Sequence, residues 1–161
     1  MNPITEHEDP AASARGVADQ RILSMSPDGQ ANAPVEVVLR NRIAEIAQAI
    51  RTKDLETLMT FYDLDVEVFD VRASLNLLGA GAYRNNLEHW FESFEGPIFY
   101  EIHSLRVVPG DRAAFCHYLG LVTGARPAGR SSGYWVRGTT CFERRDGQWL
   151  ITHEHISLPR P

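Results

Sequence analysis

Beyond Gly96-Pro97 the chain shows no helical period; what remains is four long runs of alternating side chains, at about residues 98–108, 112–123, 133–145 and 148–157. Pro109-Gly110-Asp111 and Asp146-Gly147 supply tight reversals between them, and Gly124–Ser132 reads as a looser connection. Strands of ten residues or so exceed the usual five or six, and long twisted strands bend around whatever they cover. An antiparallel, curved sheet is therefore the expected second half of the domain.

The first half is helical. Val35, Leu39, Ile43, Ile46 and Ile50 follow helical spacing to about Arg51, with Pro34 suited to a first turn and Glu36 near the positive helix end. Asp54 can cap a second, shorter helix running through Leu55, Leu58 and Met59 to about Tyr62. Strand character follows at Val66–Val71, then a loop or bent strand at Leu75–Leu78. Gly79 opens a third helix with Tyr83, Leu87, Trp90, Phe91 and Phe94 inward, stopped by Gly96-Pro97. Three early helices and a late meander specify α+β, with the helices on one face of the sheet. The domain is expected to span residues 34–159.

Residues 1–33 lack sustained periodicity and mix Pro, Ala, Ser, Asp and Gln, so they read as a flexible tail. That segment holds five acids against two arginines within a chain of net charge −5. Such a balance argues against nucleic acid or an anionic membrane as partner. No apolar run approaches the roughly 20 residues that span a bilayer, and the first residues lack a signal peptide's basic end and apolar middle, so a cytoplasmic protein is expected. Cys116 and Cys141 lie in apolar strand patterns without C-x-x-C spacing, as buried thiols in a reducing compartment would. Neither a P-loop nor a dinucleotide-binding glycine pattern occurs, and no cofactor is expected.

The final hairpin gathers the polar chemistry. Strict alternation places Trp135, Arg137 and Thr139 on one side of one strand, and Trp149, Ile151, His153 and His155 on one side of the next. A covered face mixing aromatic bulk with Arg and His suggests a ligand cavity. On that reading Arg137 meets either a ligand oxyanion or a structural partner such as Asp70. His153 and His155 serve proton transfer, ligand binding or core hydrogen bonding. With His117 they could assemble a metal site, but no acidic ligand motif accompanies them. Asp70 closes the run VEVFD on the face of Val66 and Val68, where apolar neighbours would raise its pKa and suit it to proton transfer; it could equally end the strand and cap a turn. Trp135, Trp149, Trp90, Phe94 and Tyr62 are candidate pocket walls or core, and the hydroxyls of Tyr62 and Tyr118 could orient a carbonyl.

The element order, together with Val66-Glu67-Val68-Phe69-Asp70, Tyr134-Trp135-Val136-Arg137-Gly138-Thr139 and the closing series from Asp146 to Pro159, resembles the NTF2-like superfamily, particularly its SnoaL-like (ketosteroid isomerase-like) branch. The closing series is also similar to the association domain of calmodulin-dependent kinase II. The resemblance covers Val35–Pro159 and implies a cone with a pocket between helices and concave sheet. It implies a C2 homodimer through the opposite sheet face, with Val136, Phe142, Leu150 and Ile156 as candidates to supply that face. In the steroid isomerases and polyketide cyclases of this superfamily a carboxylate in the region of Asp70 acts as acid or base. The steroid isomerases also place a tyrosine on the first helix, and residues 35–50 hold none, so that oxyanion arrangement does not carry over. What the resemblance implies is a small-molecule-binding protein. Its chemistry would be that of a cofactor-independent isomerase, cyclase, dehydratase or hydrolase acting on a small carbonyl compound. The alternative is a noncatalytic ligand-binding or oligomerisation module.

Removing residues 1–30 should leave the melting temperature nearly unchanged, because that segment has little apolar surface to contribute to a core. A fall of more than about 5 °C in a thermal melt, on the order of 1 kcal/mol for a domain of this size, would show that the tail docks.

Overall fold

The computed structural model describes residues 34–71, 75–127 and 130–159, with no side chains described at 130–132. The expected tail, residues 1–33, lies outside the described residues, as do 128–129 of the connection before the final hairpin. Helix α1 (Val35–Thr52) buries Leu39, Ile43, Ile46, Ala47 and Ile50. It ends at Lys53, whose φ of 55° is left-handed and whose Nζ donates to the Phe94 carbonyl at 2.7 Å. Helix α2 (Leu55–Met59) is capped as expected, Asp54 accepting from the Thr57 amide at 3.0 Å and from its hydroxyl at 2.6 Å. It stops before Tyr62, because Tyr62 already belongs to strand β1 (Tyr62–Phe69) and the Phe61 carbonyl accepts from the Ile151 amide at 2.8 Å. A two-residue strand, β2 (Leu77–Leu78), pairs with β1 and leads through Gly79 into α3 (Ala80–Glu92).

The remaining strands are β3 (Glu95–Val108), β4 (Ala113–Arg126), β5 (Arg130–Arg145) and β6 (Gln148–Ser157). They form one six-stranded sheet ordered β2-β1-β6-β5-β4-β3, antiparallel except for the β1–β6 pair. β3 begins before Pro97 rather than after it; as an edge strand it needs no ladder donor at that residue. Asp146 and Gly147 both take positive φ, 50° and 82°, the two-residue turn that matches strand twist. Helix α1 packs on β3 and α3 on β1, so the helices cover one face of a curved, unclosed sheet.

The face assignment of the last hairpin differs from strict alternation. On β5 the even residues point toward the helices: Val136, Thr140 and Phe142 are buried, while Trp135 and Arg137 are exposed. On β6, Trp149 and Ile151 are inward as expected, but the register steps from Phe142↔Ile151 to Cys141↔His153. Thr152 is therefore one extra residue, a β-bulge that reverses the parity beyond it. His153 and His155 consequently share the outer face, and Glu154 and Ile156 the inner one. Of the four residues expected to form the outer face, Val136, Phe142 and Ile156 point inward, and only Leu150 points out.

A bulge can be removed without flipping a face, whereas a deletion within the regular ladder cannot. Deleting Thr152 should therefore leave a folded protein whose melting temperature falls by less than about 10 °C. Deleting Thr139 should abolish cooperative unfolding, because it turns half of β5 inside out; equal tolerance of both deletions would contradict this register.

Candidate functional site

Between α1, α3 and the inner sheet face lies a cavity of about 60 Å³, room for a few waters. Its walls are apolar and aromatic. Ile46 and Ile50 come from α1, Leu87 and Trp90 from α3, and the rings of Tyr100 and Tyr118 from the sheet. Set into that wall is a buried carboxyl group, Glu154, only 3% exposed. Residue 154 faces inward because of the bulge at Thr152, and three hydroxyls from three other elements meet it there. Tyr62 of β1 and Tyr83 of α3 each donate to Oε2 at 2.9 Å, and Thr140 of β5, its cross-strand partner, donates to Oε1 at 3.0 Å.

Burial raises the Glu154 pKa above the ordinary glutamate value, and the nearby Asp70 pushes it the same way. The three hydroxyl donors oppose that rise by stabilising the anion. Burial, followed by the charge of Glu154, holds Tyr62 and Tyr83 well above the usual phenol range, so both stay protonated as donors. Cys116, fully buried behind Thr140, is pushed up to about 12, chiefly by burial, which leaves it a thiol.

Four of the residues singled out from the sequence meet at this cavity, Tyr118 among them from β4. Asp70, just past β1, lines it and accepts from Asn86 Nδ2 at 2.9 Å; Tyr62 lines it with its hydroxyl committed to Glu154; Trp90 lines it and donates through Nε1 to the Tyr134 hydroxyl at 3.0 Å. Six others lie on the outer face, while Trp149 and Phe94 are buried in the core. His153 and His155 set their rings edge-on to Phe69, with centroids 4.8 and 5.8 Å away. Trp135 packs similarly on His103. Arg137 lies on the other side of the sheet from Asp70 and donates to the Leu158 carbonyl at 2.9 Å. With His117 and Thr139 it borders a shallow outer groove that also includes Arg106. Among the described residues no three His, Cys, Asp or Glu side chains converge as metal ligands would.

Sequence reasoning passed over Glu154, Tyr83, Thr140 and Tyr134. A signal for Glu154 exists: inward apolar residues on β6 run 149, 151 and then 156, and this change from odd to even requires an extra residue between Ile151 and Ile156.

The folded protein holds the Glu154 proton more tightly than the unfolded chain does. The stability it contributes is fully present below the ordinary glutamate range and is lost as pH rises through the folded-state value. Glu154→Gln cannot ionise, so the gap in melting temperature between variant and wild type should move in favour of the variant between about pH 4 and about pH 8. Parallel pH profiles would show that Glu154 titrates normally.

The fold recurs widely among solved structures. An NTF2-like protein of unknown function from Pseudomonas putida is 28% identical over 78% of this chain and 87% of its own, with a TM-score of 0.71. An NTF2-like superfamily protein from Salmonella enterica serovar Typhimurium shares the fold at 14% identity, covering 79% of this chain and 92% of its own with a TM-score of 0.72. The association domain of CaMKII from Caenorhabditis elegans does so at 19% identity, 76% and 93% coverage and a TM-score of 0.61. Among proteins of curated function, none shows a significant sequence match. Residues 39–161 match the SnoaL-like domain, covering the helices, the sheet and both carboxyl groups at the cavity. The chain belongs to the SnoaL-like family, built on the NTF2-like fold.

Proposed function

We propose that the protein binds a small, largely apolar molecule carrying one carbonyl group in the Glu154 cavity and acts on it by acid-base chemistry without a cofactor. The observation that carries this reading is a carboxyl group buried in an aromatic cavity beside a second one, Asp70. Two carboxyl groups in different surroundings divide the labour of acid and base. Asp70, half-buried, is the group that takes the proton; Glu154, kept neutral to higher pH by burial and held in place by the hydroxyls it accepts from, stabilises charge on the oxygen. Arg137, His153 and His155 point away from this cavity, so the charge-stabilising role falls to Glu154. Isomerisation, cyclisation, dehydration and hydrolysis all fit such a site.

A screen of small carbonyl compounds and carboxylates by thermal shift should find stabilising ligands among the neutral carbonyls, because the described residues lining the cavity include no Lys, Arg or His to receive an anion. For a compound that is turned over, Asp70→Asn should lower kcat by roughly 100-fold with folding retained. Binding without turnover, undiminished in that variant, would instead support a noncatalytic ligand-binding module.

One feature favours a second role, in assembly. The outer sheet face exposes Phe99 at 60%, with Phe115, Leu119 and Trp135 each about 40% exposed. An apolar patch of that kind suits pairing with a second copy about a two-fold axis. Light scattering at micromolar concentration should give a homodimer mass, and Leu119→Glu with Trp135→Glu should shift it to monomer. A monomer at all accessible concentrations would remove the assembly reading.

A further inference from the structure

Two bulges build a second cluster, on the outer sheet face. On β3 the inward residues change from even to odd: Ile98, Tyr100 and Ile102 are followed by Leu105 and Val107. The change falls between the pairs His103↔Leu119 and Arg106↔His117, where β3 has one residue more than β4. Without that extra residue Arg106 would point at the helices; with it, Arg106 joins the outer face. Ser104 holds this bulge with a φ of 53°, a left-handed conformation that is costly for serine and persists only where its surroundings enforce it. The bulge at Thr152 does the same for His155 on β6.

The result is a lateral row of directly opposed side chains, Arg106, His117, Thr139 and His155, running across β3, β4, β5 and β6. Neighbours in such a row have Cβ atoms roughly 5 Å apart. Arg137 stands beside the row, two residues before Thr139 on the same face. Arg106, His117, Arg137 and Thr139 border one groove of about 640 Å³, and its described lining holds no Asp or Glu. Among the described residues Arg106 pairs with no carboxylate, and Arg137 gives one nitrogen to the Leu158 carbonyl. Glu101, on the same face of β3, is turned to His103 at 3.5 Å. Like charges set side by side across a sheet repel, and an anion held over them removes that repulsion.

We propose that this outer groove is an oxyanion site that takes the phosphoryl group of a small ligand, with Arg106 and Arg137 as its charged donors and His117 and Thr139 completing the set. A guanidinium fork matches two phosphate oxygens at once, and a hydroxyl and an imidazole N–H each supply one further bond. The chain's net charge of −5 repels long polyanions, so the groove fits a small phosphate and not nucleic acid. Leu119 lines the groove and Trp135 lies two residues before Arg137 on the same face, so an ester with an apolar group can cover surface that inorganic phosphate cannot. The site lies across the sheet from Glu154 and Asp70 and does not rest on the acid-base reading. Where two copies pair on this face, their rows confront each other, and a bound dianion offsets that repulsion.

The test uses the full chain at fixed ionic strength, with phenyl phosphate and inorganic phosphate as probes in titration calorimetry. Wild type should bind phenyl phosphate. Arg106→Gln and Arg137→Gln should each weaken that binding by about tenfold or more, as loss of a charge-assisted pair of hydrogen bonds requires. Arg112→Gln makes the same charge change at an exposed position in the turn between β3 and β4, and should leave affinity within about twofold. Arg137→Gln also releases the Leu158 carbonyl, so Arg106→Gln decides the matter if the Arg137 variant loosens the end of β6. Tighter binding of phenyl phosphate than of inorganic phosphate marks an organic ester as the occupant, and equal binding marks free phosphate; both support the site. Failure of wild type to bind either probe overturns the proposal. So does binding undiminished in Arg106→Gln, or weakened equally by Arg112→Gln.

Discussion

A single carboxyl group ties this domain together. Glu154 of β6 receives hydroxyls from β1, α3 and β5, so four elements converge on two oxygen atoms. Burying a carboxyl group is costly unless its lone pairs are satisfied, and here all three donors are themselves buried side chains. Removing any one of them leaves the others holding an under-satisfied acceptor. The two tyrosines that reach Glu154 also pack on each other, their rings meeting edge to face with centroids 5.0 Å apart.

The fold was legible because its signals are local. Apolar spacing marks α1 and α3, Asp54 announces the cap of α2, and Asp146-Gly147 announces the last turn. The site was less legible because it depends on register. One unmarked residue, Thr152, reverses which side chains of β6 face the helices, with no glycine or proline to signal it. Reading β6 as regular sends His153 and His155 inward and hides Glu154 between them. On β5 the error had a different source: Trp135 looks like a core residue, and its half-exposed position beside His103 reflects an outer face that is itself partly apolar.

Asp70, Tyr62 and Trp90 escaped that difficulty. Asp70 follows Val66 and Val68 on a strand segment that pairs regularly with β6, so alternation carried its inward face through to the cavity. Trp90 sits on α3 within a helical period that has no bulge to disturb it. Tyr62, by contrast, reaches the cavity as the first residue of β1 and not as the end of a helix. The outer face, with Arg106, Arg137 and four of the six histidines among exposed aromatic and aliphatic side chains, is chemically the more conspicuous surface in the sequence. The inner face holds the enclosed carboxyl.

The most direct measurement is a titration of Glu154 itself. In protein carrying ¹³C at glutamate side chains, one carboxyl resonance, assigned by its disappearance in Glu154→Gln, should titrate above the ordinary glutamate range. Loss of a donor that stabilises the anion, as in Tyr83→Phe, should move that titration further up. A Glu154 resonance titrating at or below the range of the exposed glutamates, and unmoved by Tyr83→Phe, would contradict a buried carboxyl at the centre of the cavity.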